Sequence, residues 1–434
     1  GTVNRGILYY HPDRFKFRNY GSSFFKLPNN ENVSIFSLAQ HNGTILMGTQ
    51  AGVFSFKNNT MDFETVSWLP SQAFCEMLFT DSQNRLWICT RNQGLYGLEN
   101  GKTTHYKLPY HCISIYEAFD GRLFLCTNQG PGIFDPNTGS FEKATGETMD
   151  YTYQLTEYGQ DTLLGYCDKG LYYYHINKNS VSFPKADAPI KQHKNQHYHC
   201  LFTDSRGLIW MGSWDGLNVF DPSQQSTRTF HVEDGLVNNS IRSIIEDDLG
   251  QIWVSTSYGI SCIELKAQER SFDFRFTNYN RFDGLIENEF LPRAVCKTNN
   301  GRLLWGGLDG FNEMDLNSLT KPGPKLYVPL FTRFLLAGTE VRMNDVFDGN
   351  ILLKQSITAT KEIKLKYNQN FFAVEFSALN YVNPTQTIYR YRLEGVDTEW
   401  RELKTTDGIG RAVYTKLSPG TYKLSVQASN NNQQ

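Results

Sequence analysis

Short apolar runs recur along most of the chain, and polar turns separate them. Residues 204–217 show the full pattern: a turn with Asp and Gly, an apolar run containing Trp210, a small residue, and a second turn ending at Gly216. Residues 208–211 are apolar throughout instead of alternating, which is typical of a strand covered on both faces. The pattern predicts short, buried antiparallel strands joined by tight turns.

The same phrase occurs seven times in this sequence. The copies begin at His41, Asp81, Asp120, Gly159, Asp204, Asp247 and Asn299, and we assign their closing glycines as Gly52, Gly94, Gly132, Gly170, Gly216, Gly259 and Gly310. Successive closing glycines are therefore 42, 38, 38, 46, 43 and 51 residues apart. A period of about 40–50 residues with several short strands per unit is typical of a β-propeller. We predict an all-β fold with seven blades of four strands each.

The first turn of each copy has a clear chemical rationale. Asp204 can accept hydrogen bonds from the backbone of its turn, and Gly207 permits a positive φ; Asn84 takes the glycine position in the second copy. The tryptophans that follow these turns are predicted to be packing residues: Trp87, Trp210, Trp253 and Trp305. Cys89 and Cys126 occupy a position that other copies fill with Gly or Ser, and there a buried thiol acts as a small apolar group.

The C-terminal part of the chain shows a different, period-two pattern. Strands are predicted at 373–376, 389–393 and 422–426, with turns at Glu394-Gly395 and Ser418-Pro419-Gly420. This pattern predicts an immunoglobulin- or fibronectin-like β-sandwich. The Pro-rich segment 322–324 suggests a boundary, so we predict a propeller over residues 1–322 and a sandwich over residues 323–434.

Composition narrows the possible functions. The chain of 434 residues has a formal net charge of −2, and it has no long basic run that would favour nucleic-acid binding. Its eight cysteines include no CxxC pair, so we expect no structural zinc and no cofactor, and we favour buried thiols over a disulfide framework. Aromatic residues make up 14% of the chain, which suits an all-β protein.

Two segments resemble known families. Residues 232–260, VEDGLVNNSIRSIIEDDLGQIWVSTSYGI, closely resemble the two-component regulator propeller repeat. Residues 389–400, YRYRLEGVDTEW, and residues 412–430 resemble the Tyr-rich sandwich module that follows such propellers. This combination is typical of the extracytoplasmic sensor region of hybrid two-component systems in polysaccharide-degrading Gram-negative bacteria.

The resemblance implies a periplasmic region that binds an oligosaccharide and controls a histidine kinase across the membrane, and through it transcription. It implies that this region is not itself an enzyme, and that its partners are a second copy, a first propeller, and the membrane and kinase regions. Such receptors usually carry about fourteen repeats, so we expect a fragment that holds the second propeller and a sandwich without its last strand. We also expect residues 15–20 to complete the last blade.

Propeller loops between the second and third strands lie on one face with the segments that enter the inner strands. These loops are rich in amides, charges and aromatic rings, a mixture that suits a glycan, because flat rings stack on sugars and fixed polar groups pair with hydroxyls. The candidate ligand-binding residues are Arg91, Gln93, Asp168, His197, Trp214, Asp215, Tyr258, Arg293 and Asp309.

Each candidate also has a purely structural interpretation. Trp214 can cover its own hairpin, Asp215 can shape its turn, and Arg91 and Arg293 can be solvated or ion-paired. His197 and His199 would share one face of a strand, but no further Cys or carboxylate spacing completes a metal site.

Two other functions remain open. Residues 248–253 resemble the Asp-box turn of sialidases, which favours a propeller glycoside hydrolase, although the sequence shows no clustered Tyr, Glu and Arg with catalytic spacing. The other alternative is a dimerisation scaffold that binds no ligand.

Overall fold

The computed structural model describes residues 16–21, 24–25, 33–57, 62–70, 73–185, 188, 190, 197–268, 272–286, 289–316, 328–380, 384 and 387–429. Its compact units lie within residues 15–319 and residues 320–434. The described residues are strands, turns and short 3-10 helices at Ile176–Lys178, Val232–Asp234, Arg281–Asp283 and Ile357–Ala359. The predicted all-β fold is confirmed. In the described part of the chain, no helix has the length and apolar character needed to cross a membrane. The predicted domain boundary at 322/323 lies outside the described residues.

The first unit contains 29 strands among its described residues. In chain order these are β1 Arg18–Tyr20, β2 Ile35–His41, β3 Thr44–Thr49, β4 Gly52–Lys57, β5 Asp62–Thr65, β6 Cys75–Thr80, β7 Leu86–Thr90, β8 Gly94–Glu99, β9 Lys102–Tyr106, β10 Cys112–Glu117, β11 Leu123–Thr127, β12 Gly130–Asp135, β13 Ser140–Lys143, β14 Thr145–Gly146, β15 Thr152–Gly159, β16 Thr162–Cys167, β17 Gly170–His175, β18 Ser180–Ser182, β19 Tyr198–Thr203, β20 Ile209–Ser213, β21 Gly216–Asp221, β22 Ser226–Phe230, β23 Ile241–Glu246, β24 Ile252–Thr256, β25 Gly259–Ala267, β26 Phe272–Tyr279, β27 Phe290–Lys297, β28 Arg302–Gly307 and β29 Gly310–Asp315.

These strands form seven sheets, and each sheet begins with a strand that we call its inner strand. The sheets are β2–β5, β6–β9, β10–β13, β15–β18 with β14 added beside β18, β19–β22, β23–β26, and β27–β29 with β1. Each inner strand contacts the inner strand of the next sheet, and β27 contacts β2, so the sheets close into a ring. This arrangement is a β-propeller, as the repeat period predicts.

The seventh sheet is assembled from two distant parts of the chain. Strand β1 is its fourth strand and pairs antiparallel with β29. The side chain of Asn312 donates a 2.7 Å hydrogen bond to Asn19, and the rings of Tyr20 and Phe311 stack with centroids 4.6 Å apart. Residue 15 of the expected closing segment lies outside the described residues.

The repeated turn holds its tryptophan through the aspartate. In the fifth sheet, Oδ1 of Asp204 accepts hydrogen bonds from the backbone N–H groups of Arg206 and Leu208, at 3.0 and 2.9 Å. Its other oxygen accepts from the indole N–H of Trp210 at 3.0 Å. The second and sixth sheets repeat the bond through Asp81–Trp87 and Asp247–Trp253, both 2.8 Å. The indoles are buried, as predicted for packing residues.

One assigned turn glycine is wrong. The hairpin of the third sheet closes at Gly130, which pairs with Thr127 and has a φ of 109°, close to the 117° of Gly52. Gly132 lies two residues further along β12, where a Cβ atom would come within 2.3 Å of the Glu142 carbonyl oxygen. Gly132 is therefore required by close backbone approach, and Gly130 by the turn.

The cysteines lie in the interior of the sheets. All eight are free, and seven of them are buried: Cys75, Cys89, Cys112, Cys126, Cys167, Cys200 and Cys262. Cys89 and Cys126 do occupy the same position as Gly48 and Gly212. Each of these four residues pairs with the third residue of the inner strand of its sheet. At Gly212 a Cβ atom would lie 2.5 Å from Ile241 of the next sheet, so this position keeps neighbouring sheets close.

The second unit is a β-sandwich. Its strands are β30 Leu330–Leu336, β31 Thr339–Glu340, β32 Val346–Phe347, β33 Asn350–Ile351, β34 Phe371–Ser377, β35 Ile388–Glu394, β36 Arg401–Lys404, β37 Ile409–Thr415 and β38 Lys423–Ser429. One sheet has the order β31-β30-β34-β37 and another has β36-β35-β38. Tyr389 and Tyr414 are buried in the core with Phe376, which confirms the sandwich predicted from the period-two segments.

Candidate functional site

The hairpins between second and third strands lie against the segments that enter the inner strands. The backbone N–H of Arg91 donates to the carbonyl of Phe74, and that of Trp214 donates to the carbonyl of His197, at 3.1 and 3.2 Å. These two loop sets therefore form one face around the ring axis, which we call the axial mouth.

Hydroxyl groups fix the tips of these hairpins. In the fifth sheet Ser213 Oγ donates to the carbonyl of Gly216 at 3.0 Å and accepts from the backbone N–H of Asp215 at 3.2 Å. Thr256 makes the corresponding bonds to Gly259 and Tyr258 in the sixth sheet. The hairpin backbone is thereby satisfied internally, and the side chains at the tips are left to face solvent.

Every inner strand is interrupted at the same place, after its first paired residue. The bulged residues in the first six sheets are Phe36, Glu76, Ile113, Tyr153, His199 and Arg242. In the seventh sheet the interruption covers the four residues between Phe290 and Val295, including Arg293. A bulge re-aims a side chain out of the ladder. The ring of bulges therefore places one residue or segment per sheet at the mouth end of its inner strand, where Ile113 and His199 are buried and the other single bulged residues are partly exposed.

Glu76 is the centre of a charged cluster. Its side chain is only 10% exposed and accepts from Arg91 Nε at 2.7 Å and from His111 Nε2 at 3.2 Å. Burial would raise the pKa of Glu76, but the hydrogen bonds from His111 and Arg91 outweigh it and lower the pKa. The guanidinium of Arg91 also lies over the ring of Phe74, 3.8 Å from its centroid. Arg91 is thus ion-paired, as its structural interpretation proposed, and it is also partly exposed.

Tyrosines form a stacked series at the fourth sheet. The ring of Tyr153 stacks on Tyr166 at 5.3 Å and on Tyr151 at 6.5 Å. The Tyr153 hydroxyl donates a 2.6 Å hydrogen bond to Asp168 Oδ1. Burial, and then the bond to this carboxylate, raise the pKa of Tyr153. Tyr151 is 43% exposed, so the series offers an open aromatic face.

His199, Trp214 and Arg242 form a third group. The His199 ring nitrogen Nδ1 is 2.7 Å from the carbonyl of Ile241, which fixes the ring, and its centroid is 5.1 Å from that of Trp214. Burial is the main cause that lowers the pKa of His199 to about 4, and the charge of Arg242 adds to it. His199 is therefore neutral near pH 7. Trp214 is 59% exposed, while the Arg242 guanidinium is 5.5 Å from its ring centroid.

Arg293 reaches across the ring. Its backbone has a φ of 63°, which is uncommon for a residue other than glycine. Its guanidinium Nη1 donates a 2.7 Å hydrogen bond to the carbonyl of Tyr153. This bond joins the inner strand of the seventh sheet to that of the fourth sheet.

The remaining candidates lie at the periphery of the mouth. Gln93 Oε1 accepts from the Tyr96 hydroxyl of its own sheet at 3.0 Å, so this amide supports its hairpin. Asp215 is 80% exposed at its side chain and lies 4.0 Å from His231 Nε2. Tyr258 is 51% exposed. His197 is exposed, and Asp309 lines a small pocket with Glu289.

The sequence-based candidates omit the six single bulged residues, among them the polar residues Glu76, Tyr153 and Arg242. The sequence does contain a signal for these residues. Each bulged residue is followed first by Ser, Met, Gln or Cys and then by Leu or Ile. Aligning the inner strands on this pattern brings Phe36, Glu76, Ile113, Tyr153, His199 and Arg242 into one column. Within the part of the chain that the structure describes, no group of three or more His, Cys, Asp or Glu side chains is placed to hold a metal ion.

Together these features define a β-propeller with a polar and aromatic axial mouth, followed in the chain by a Tyr-rich β-sandwich. Two family models match the chain: the Y_Y_Y domain over residues 380–434 and the two component regulator propeller over residues 235–258. Both matches confirm the resemblance predicted from the sequence.

Individual proteins are also similar to this chain in sequence or in structure. The chain is 23% identical over 364 residues to histidine kinase P4 of Formosa agariphila, and the match covers 70% of this chain and 25% of that protein. The extracellular domain of hybrid two component system BT3049 from B. thetaiotaomicron superposes with a TM-score of 0.72 at 20% identity, covering 96% of this chain and 56% of that one. Virginiamycin B lyase of Staphylococcus aureus matches with a TM-score of 0.54 at 11% identity, covering 70% and 99%. The chain thus spans a quarter of the curated relative and just over half of the first solved one.

Proposed function

We propose that this chain is the ligand-sensing part of a hybrid two-component receptor in the periplasm, and that it binds an oligosaccharide at the axial mouth. The observation that carries the proposal is the ring of bulged inner strands. It gathers side chains that differ from sheet to sheet around one axis, next to the exposed rings of Trp214, Tyr151 and Tyr258. Fixed polar groups beside open aromatic faces are the chemistry that sugars require.

The similarities support the signalling half of the proposal. The family match is to a two component regulator propeller, and the relatives include a histidine kinase and the extracellular domain of a hybrid two component system. A ligand that switches such a receptor from 1:99 to 99:1 must favour one state by about 5.5 kcal/mol. We propose that a second copy of the chain takes part in that change, which sedimentation with and without ligand would detect.

Binding is tested by isothermal titration calorimetry of the chain against a panel of neutral and acidic oligosaccharides. We expect saturable binding that Trp214→Ala weakens roughly tenfold, because an exposed stacking ring is lost. Phe119→Ala is the matched control. Phe119 is 99% exposed, but it lies in the turn between β10 and β11, at the end of β10 that is away from the axial mouth.

Each other outcome has a definite meaning. If no member of the panel binds, the chain acts as a scaffold and the proposal fails. If products appear in the calorimeter cell, the chain is an enzyme. If Trp214→Ala and Phe119→Ala bind alike, the ligand lies away from the axial mouth.

A further inference from the structure

Three arginines lie at the axial mouth, and their partners differ. Arg91 is paired with Glu76 at 2.7 Å, and Arg242 with Glu289 at 3.4 Å. Arg293, which is half-buried, instead donates to a neutral acceptor, the carbonyl of Tyr153. A guanidinium has five N–H donors, so in the part of the chain that the structure describes most of the donors of Arg293 remain available for a ligand.

Among the described residues, no carboxylate forms a salt bridge with Arg293, and the carboxylates nearest to this group have other partners or are exposed. Glu76 already accepts from Arg91 and His111, and Asp168 accepts from the hydroxyl of Tyr153. Asp215, at the periphery, is 80% exposed, so water and salt screen its charge. A half-buried cation without an ion-pair partner is costly, and an incoming anion removes that cost.

The backbone holds Arg293 in place for this role. It lies in a four-residue interruption of the inner strand, at a φ of 63°, and its bond to Tyr153 spans the ring. The positive charge of Arg293 also helps to lower the pKa values of Glu76 and His199, which belong to the second and fifth sheets. Its field therefore reaches several sheets at once.

We propose that the ligand is an acidic sugar whose carboxylate or sulfate group binds the Arg293 guanidinium, with the sugar ring beside the tyrosines of the fourth sheet. This inference rests on the proposed function for the sugar and on Arg293 for the anion. The guanidinium fork matches either oxyanion in two-point geometry.

The test begins with small anions, so that it does not depend on the identity of the oligosaccharide. The melting temperature of the chain is measured with sodium glucuronate, sodium sulfate or glucose at constant ionic strength. We expect a saturable rise with glucuronate or sulfate and none with glucose, and the anion that acts separates a carboxylate from a sulfate ligand. Arg293→Gln should weaken the response at least tenfold.

Matched variants separate position from charge. Arg293→Lys keeps the charge without the planar fork and should respond between the parent and Arg293→Gln. Arg228→Gln removes one positive charge from the exposed outer strand β22 and should respond like the parent. An unchanged response in Arg293→Gln, or an equal response to glucose, overturns the inference.

The outcomes also distinguish this inference from the proposed function. If neutral oligosaccharides bind at the mouth and Arg293→Gln has no effect, the proposed sensor function stands and the inference of an acidic ligand is wrong. If the response to anions depends on Arg293 but no oligosaccharide binds, the anion site stands and the proposed binding of a sugar is wrong.

Discussion

The two ends of each inner strand follow opposite rules. At one end the turn into the second strand repeats the same arrangement in the second, fifth and sixth sheets, where Asp81, Asp204 and Asp247 each bind an indole. At the other end the bulge position holds a different residue in each of the first six sheets, for example Phe36, Glu76 and Tyr153. The comparison teaches that the repeated end builds the propeller, while the varied end is free to carry recognition.

The largest expected effect lies at the repeated end. Asp204→Ala should lower the free energy of unfolding by about 3–5 kcal/mol, because it leaves a buried indole, two backbone donors and Arg206 without their acceptor. Urea denaturation measures the loss. Asp248→Ala is the control, because among the described residues Asp248 makes an exposed pair with Lys297, and its loss should cost less than about 1 kcal/mol. Equal losses in the two variants would break the comparison.

The next effect lies at the varied end and depends on pH. Because burial lowers the pKa of folded His199 to about 4, the unfolded chain binds the proton more tightly. The contribution of neutral His199 to the free energy of unfolding is therefore fully present above the ordinary pKa of histidine. As the pH falls from about 6.5 to 4, the free energy of unfolding decreases by about 3 kcal/mol.

His199→Asn should flatten that part of the pH profile, since Asn can still donate to the carbonyl of Ile241 without titrating. Denaturation midpoints at intervals between pH 7 and pH 4 measure the difference between parent and variant. Parallel profiles would show that His199 does not titrate in this way.

A smaller effect tests the exception at the repeated end. In the seventh sheet Thr298 takes the turn position of Asp81, but Trp305 pairs with Val295 and lies one residue further along its strand than Trp87, which pairs with Phe79. Thr298→Ala should therefore lower the free energy of unfolding by only about 1 kcal/mol, because it removes the acceptor of the Arg302 backbone N–H and no bond to an indole. Urea denaturation measures the loss, and a loss as large as that of Asp204→Ala would contradict this smaller role.

The smallest expected effect on stability is at the tip of a mouth hairpin. Tyr258→Ala should change the free energy of unfolding by less than about 0.5 kcal/mol, because its ring is 51% exposed. Chemical denaturation of the variant checks this value. A loss above 2 kcal/mol would mean that the mouth residues also support the fold.

The sequence was sufficient to predict the structure at the repeated end of the inner strands, but it did not predict the bulges at the varied end. Turn signals such as Asp204 and Gly207 act locally, so they predict the hairpins, the buried tryptophans and the ring. The bulges depend on how each inner strand meets its partner and its neighbours, and the residues that follow them show a common pattern only after the inner strands have been aligned. The same limit explains Gly132: two glycines two residues apart both suit a turn, and only the pairing of Thr127 with Gly130 decides between them.

The site was predicted in part for the same reason. Loop position identified Arg91, Asp168 and Trp214 as residues of the mouth, since loops follow from the order of strands. Arg293 was identified as part of the segment that enters the last inner strand, and the structure places it within β27. Glu76, Tyr153 and Arg242 lie within strands, where an alternating pattern gives no indication that a bulge turns the side chain outward. Their ion pairs and stacks with the loop residues follow from the ring geometry alone.

The closure of the seventh sheet by β1 bears on how the protein is made. Asn19 and Asn312 are bonded across 293 positions of the chain, so strand β1 is synthesised before the other strands of the ring and must wait for β29 before it finds its partner. Until then the edge of β29 and the face of Phe311 stay uncovered. A pulling force applied to strand β1 would open the ring at the same seam.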